Sequence, residues 1–187
     1  FSSLYFMAAI PCLMLAGRWI KAQYRYLLLL AFSLYFYGSL SFPSLYYLIG
    51  LAAITWLCAA WLNHSQARAK KHAVIASNVL VACMLLFTKY TNFIASIFTG
   101  NLNLFSIFVP IGISFITFHA LSYLFDVYKG RVSLIRNPLE LLFYLSFFAH
   151  ILQGPISKSR DFIPQIKQPS SPDAQSISFS FFQIACG

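Results

Sequence analysis

Charge is what this sequence has least of. Asp, Glu, Lys and Arg make up 9% of its 187 residues, with 4 acidic against 13 basic, while 59% of the chain is hydrophobic. A soluble domain carries roughly 25% charged residues because it has to solvate a surface. This chain has too few to cover one, which excludes a water-soluble globular domain and leaves lipid as the surrounding medium. Cysteine is scarce and scattered. Of Cys12, Cys58, Cys83 and Cys186, three lie inside apolar runs, and none has the C-x-x-C or Cys/His spacing of a zinc site. They read as small apolar packing residues. Also missing are an H-E-x-x-H pair, a Ser-His-Asp or Cys-His arrangement, and a glycine loop that cradles phosphate. No metal and no resident cofactor is therefore expected.

What is present fits the membrane. The 20 Phe and 11 Tyr suit helices that face acyl chains and headgroups. The net charge of +9 could in principle serve a nucleic acid, but that needs a basic stripe on a folded surface. Here the cations sit in short clusters between apolar runs, as in cytoplasmic loops. The bilayer, not a nucleic acid, is the expected partner.

A spanning helix needs about 20 apolar residues. Apolar runs cover residues 1–17, 26–40, 43–62, 73–88 (with continuation past Lys89 to Phe98), 105–128 and 138–153. Lipid offers no hydrogen-bond partners, so each run has to satisfy its own backbone, and runs this long and continuously apolar are helices rather than barrel strands. Pro43 suits a first helical turn, and Asn137, Pro138 and Glu140 have the spacing of a cap, a first-turn proline and a capping box. No basic region precedes the first run, which argues against a cleaved signal peptide. The fold class expected is an all-α membrane protein: a polytopic bundle of about six spanning helices plus one broken segment. Residues 1–187 read as a single, partial membrane domain.

Lys and Arg set the orientation. Arg18, Lys21 and Arg25 follow the first run, Arg68, Lys70 and Lys71 the third, and Lys129, Arg131 and Arg136 the fifth; the second loop has no basic residue and the fourth at most Lys89. Odd-numbered loops then face the cytoplasm and the first residue lies outside. Lys158, Arg160 and Lys167 break the alternation, and Gly154, Pro155 and Pro164 break the helix there. Residues 154–175 are read as a re-entrant or surface-lying segment, because irregular backbone at membrane depth survives only where protein or water covers it.

Ionisable and polar residues inside spans are costly and point to function. His119 and Asp126 are seven apart, on one helix face, with Gly112 and Ser122 near it. Ser146, His150 and Gln153 share a face of the last run. Both stripes should turn from lipid toward each other or a shared cavity. Two readings stay open for His119, a hydrogen bond that glues helices or a pathway role. Asp126 favours an interfacial ion pair with Lys129 or Arg131, His150 is balanced between structure and site, and His64 and His72 are expected in solvent. The candidate channel set is His119, Ser122, Asp126, Ser146, His150, Gln153, Gly154, Pro155, Lys158 and Arg160.

Two blocks carry a resemblance. The first is Val109-Pro110-Ile111-Gly112-Ile113-Ser114-Phe115, Thr117-Phe118, Leu121-Ser122-Tyr123 and Asp126-Val127-Tyr128-Lys129-Gly130. The second is Ser146-Phe147-Phe148, Gly154-Pro155-Ile156, Arg160-Asp161-Phe162 and Pro164-Gln165. The chain resembles the membrane-bound O-acyltransferase family, in the bacterial branch of the alginate O-acetylation membrane protein, and looks like its N-terminal part. Where members usually carry Gln, this chain has His119, and where they carry Pro-Gln it has Ala149-His150. Neither histidine therefore matches the family's catalytic one, which lies in a later helix, and no catalytic residue is carried over.

The resemblance implies transfer of an acyl group from a cytoplasmic donor, acetyl-CoA, toward an exported cell-surface polysaccharide. The setting it implies is the bacterial inner membrane, with a periplasmic or membrane-anchored acetylation partner. Two other functions compete on the sequence alone. A transporter or channel subunit would also have broken helices and buried His and Asp, and a third possibility is a scaffold for a separate acyltransferase.

Overall fold

The computed structural model describes residues 19–20, 24–99, 112–147, 159–160, 162 and 164. Among them every regular element is helical: α1 (Arg25–Leu40), α2 (Phe42–His64), α3 (Ala67–Thr99), α4 (Ile113–Tyr128) and α5 (Pro138–Ser146). A single residue separates α1 from α2, and two separate α2 from α3.

Helix α2 is the hub and touches the other four. Its buried residues Ser44, Leu48, Leu51, Ala52, Thr55, Cys58, Ala59 and Leu62 recur every three or four positions, one face of a helix. Small side chains let backbones approach closely in lipid, and Ala59 of α2 and Ala120 of α4 are both fully buried. Thr55 and Thr117 return their hydroxyls to the carbonyls of Leu51 and Ile113 one turn back, at 2.7 Å each, so neither leaves an unsatisfied group in the apolar interior.

The outer faces are apolar. Helices Phe42–His64 and Ala69–Thr91 are long and apolar enough to cross a bilayer, yet only 39% and 22% of those stretches are buried within the protein. A soluble protein's core helix would be covered; here Leu57, Trp61, Ile75, Val79, Leu86 and Phe87 stand exposed. The chain is a helical membrane protein. Helix α3, at 33 residues, extends about 50 Å at 1.5 Å per residue, well beyond a hydrocarbon core of about 30 Å. Its first turns, with Lys70, Lys71 and His72, therefore project past the apolar band. His64 and His72 are both exposed, as the sequence suggested.

Two long-range hydrogen bonds join the helix ends. Asn137 Nδ2 donates to the Tyr26 hydroxyl at 3.3 Å, and Trp56 Nε1 donates to the Ile135 carbonyl at 3.1 Å. The start of α1, the last turns of α2, the end of α4 and the start of α5 thus meet at one end of the bundle. Arg25, Lys129, Arg131 and Arg136 belong to that end, as do Lys70 and Lys71 at the start of α3.

The last helix departs from expectation. The run 138–153 reads as a full span, but α5 covers nine residues, and at Phe147 the backbone leaves the helix with ψ 112°. Nine residues rise about 14 Å, and residues 148–153 of the same run lie outside the described residues. No proline or glycine ends it. Instead Phe147 joins Phe143 and Phe162, with ring centroids 5.4 and 5.2 Å away, a tertiary contact that no local pattern reveals. Residues 1–17, 105–111, 148–153 and most of 154–175 lie outside the described residues.

Candidate polar site between α4 and α5

Gly112 starts α4 with φ 71°, a left-handed conformation that a glycine adopts freely. The helix carries its polar residues inward. His119 is 3% exposed and Asp126 6%, so the seven-residue spacing does place both on one buried face. Ser122, between them, is half-buried. At the other end Asn137 caps α5, its Oδ1 accepting from the Leu139 N–H at 3.0 Å, as the capping spacing predicts.

His119 Nδ1 lies 2.8 Å from the Phe115 carbonyl oxygen. A carbonyl can only accept, so Nδ1 carries the hydrogen, and a neutral ring presents Nε2 as an acceptor. That bond stays within α4. Across to α5 the contact is aromatic: His119 meets Tyr144 edge-on, centroids 5.6 Å apart. Tyr144 also lies against Tyr123 at 6.5 Å and Phe162 at 5.6 Å.

Asp126 sits deeper than a simple surface ion pair. Its Oδ2 accepts from Ser159 Oγ at 2.6 Å, both groups buried. Its Oδ1 lies 3.7 Å from the half-exposed Arg131 guanidinium, long for a charge-assisted hydrogen bond. Arg131 is further fixed by its backbone N–H, which donates to the Asp126 carbonyl at 2.9 Å. Lys129, the other cation expected near Asp126, instead lies over the Phe125 ring at 5.0 Å. The ion-pair reading of Asp126 holds with Arg131, but the stronger bond is to a serine 33 residues away.

Of the other candidates, Ser146 is fully buried, its Oγ 3.5 Å from the Phe143 carbonyl. Arg160 is exposed, directly after the buried Ser159. His150, Gln153, Gly154, Pro155 and Lys158 lie outside the described residues. The site's members that the sequence does not reveal are Tyr123, Tyr144 and Ser159. Both tyrosines are hidden among apolar residues, where they count as aromatic bulk, and Ser159 stands between Lys158 and Arg160 with no periodic pattern. Among the described residues no three His, Cys, Asp or Glu side chains come together as metal ligands.

The arrangement offers a buried carboxylate, a hydroxyl that donates to it, a row of phenol and imidazole rings, and Arg131 at its outer edge. It can hold and orient polar groups. Several curated proteins are similar to this sequence. The chain is 30% identical over 153 residues to a probable alginate O-acetylase of Pseudomonas aeruginosa, covering 76% of this chain and 29% of that protein. This chain is a relative of the bacterial O-acetylases. A probable alginate O-acetylase of Pseudomonas syringae is 28% identical over 176 residues (88% of this chain, 34% of that protein). A peptidoglycan O-acetyltransferase of Helicobacter pylori is 26% identical over 186 residues (83% and 35%). No family model matches the chain, and no solved structure matches it. The chain spans about a third of the length of the curated relatives it matches. The likeness to membrane-bound O-acyltransferases of the alginate O-acetylation branch, first read from the two motif blocks, is supported by these relatives.

Proposed function

We propose that these residues form part of a membrane-bound O-acetyltransferase that passes an acetyl group from a cytoplasmic donor, acetyl-CoA, to hydroxyls of an exported cell-surface polysaccharide. The observation that carries the reading is the first motif block. Its residues 113–128 form α4, with His119 and Asp126 turned into the protein, in a chain related to alginate and peptidoglycan O-acetylases. Those relatives favour the enzyme over the transporter or channel reading. In this proposal the 187 residues supply wall and donor-side surface. The general base that takes the acceptor's hydroxyl proton is a histidine outside them.

The proposed setting is the bacterial inner membrane, with about six spans, the N-terminus outside and residues 154–175 re-entering or lying along the surface. The gathering of cationic helix ends at one end of the bundle supports that orientation, since Lys and Arg favour the cytoplasmic side. A periplasmic or membrane-anchored partner completes delivery to the polysaccharide. Deleting the gene should strip base-labile acetyl esters from the cell-surface polysaccharide, and the intact gene should restore them. An unchanged ester content in the deletion strain refutes the proposal.

A further inference from the structure

Threonines in this bundle satisfy themselves. Thr55, Thr88, Thr91 and Thr117 each donate to the carbonyl one turn back on their own helix, which leaves no spare donor in the apolar interior. Ser33 of α1 and Ser44 of α2 have the same option and do not take it, and Tyr37 of α1 adds a phenol. These three residues are 0%, 1% and 1% exposed, and among the described residues none of their hydroxyls has a hydrogen-bond partner. A buried hydroxyl without a partner is costly, and native interiors contain few of them.

The three belong to one part of the bundle. Ser33 and Tyr37 are one turn apart on the buried face of α1. The Tyr37 ring enters the same core cluster as Leu48 and Leu51, and those two share the buried face of α2 with Ser44. Only Ser41 separates the two helices, its N–H donating to the Tyr37 carbonyl at 3.0 Å. A methyl placed on Gly38 would come 3.8 Å from the Leu45 side chain, so the residues just before them, Tyr37 and Ser44, stand level beside the turn. Helix α5 packs on α1 as well. Counted from the Tyr26–Asn137 hydrogen bond, Ser33 and Tyr37 lie about 10 and 16 Å along α1 and the buried Ser146 about 14 Å along α5, at 1.5 Å per residue. The hydroxyls therefore gather at one depth, in the half of the bundle away from the cationic end.

Their chemistry selects the ligand. Residues 26–63 contain no Asp, Glu, Lys, Arg or His, so nothing on α1 after Arg25 or on α2 before His64 would balance an ion. Water both donates and accepts, is the smallest such group, and typically makes about three hydrogen bonds when buried. We infer that Ser33, Tyr37 and Ser44 form a water-binding position between α1 and α2, inside the apolar bundle. It does not depend on the acetyl transfer proposed above, so either can fail without the other.

The test uses the protein as expressed from its own gene, in nanodiscs. A millisecond X-ray pulse makes hydroxyl radicals from water wherever it sits, and mass spectrometry then reads the oxidised side chains. Tyr37 should be oxidised several-fold faster than Tyr123, which is equally buried but has its hydroxyl bonded to the Ile135 N–H. Ser33→Ala and Ser44→Ala should each slow oxidation of Tyr37. Each should also lower the melting temperature by about 2–4 °C, the shift for one lost buried hydrogen bond in a chain of this size. A hydroxyl that bonds to nothing behaves in the opposite way, because its removal relieves a penalty and raises the midpoint. Tyr37→Phe combined with Ser44→Ala should lose less than the sum of the two single changes, since both release one water. Oxidation of Tyr37 no faster than that of Tyr123, or alanine variants that melt at or above wild type, overturns the site. Strictly additive losses overturn the sharing of one water by Tyr37 and Ser44.

Discussion

Tyr123→Phe is the sharpest test of how the bundle is held. The hydroxyl of Tyr123 accepts from the Ile135 N–H at 3.1 Å, and both residues are fully buried. Removing one oxygen keeps the ring and its contact with Tyr144 but strands a backbone donor where no water reaches. An orphaned buried N–H costs about 1–3 kcal/mol. In a chain of this size each kcal/mol lowers the midpoint by about 2–4 °C, so a fall of about 2–12 °C is expected. The same loop residue is held a second time, its carbonyl accepting from Trp56 Nε1 at 3.1 Å. Tyr123→Phe and Trp56→Phe should therefore be non-additive by at least about 0.5 kcal/mol, because both release the same backbone. The assay is reversible unfolding in mixed detergent micelles, with the exposed Tyr35→Phe as a control. A Tyr123→Phe protein within about 0.5 kcal/mol of wild type, the ordinary scatter of surface changes, would refute this account of the loop.

Three further outcomes are expected. Asn137→Ala should cost about 0.5–2 kcal/mol in the same unfolding assay, because it removes the cap of α5 together with the bond to Tyr26. Gly130→Ala should destabilise by about 1 kcal/mol, and by strain alone: φ is 68°, and no atom lies within 4 Å of the place the added methyl would take. On a cysteine-free background, Ser65→Cys should react with a membrane-impermeant maleimide only from the cytoplasmic side; labelling of intact cells from outside would reverse the proposed orientation.

Much of the helical layout could be read from hydropathy alone, and the errors have physical causes. The runs 26–40 and 43–62 agree with Arg25–Leu40 and Phe42–His64 to within two residues at each end. The continuation of the fourth run past Lys89 is real, since α3 reaches Thr99. Its start came six residues late because Arg68, Lys70 and Lys71 are good helix formers that a search for apolar residues passes over. The early end of α5 was unreadable, because Phe147 leaves the helix in company with a ring fifteen positions further on. The site divides the same way. Seven-residue spacing revealed the shared face of His119 and Asp126, while the Asp126–Ser159 bond joins residues that no periodicity relates.

The stretch between Tyr128 and Pro138 has no helix or strand, yet it is anchored to α1, α2 and α4 through Asn137, Ile135 and the Tyr123 hydroxyl. Surface connections usually tolerate changes in length because their ends alone are fixed. This one is fixed along its course, so its length is part of the architecture. A single residue inserted near Val132 would slide Ile135 out of register with both of its partners at once. Natural variation in related chains should therefore alter the side chains here far more readily than the spacing.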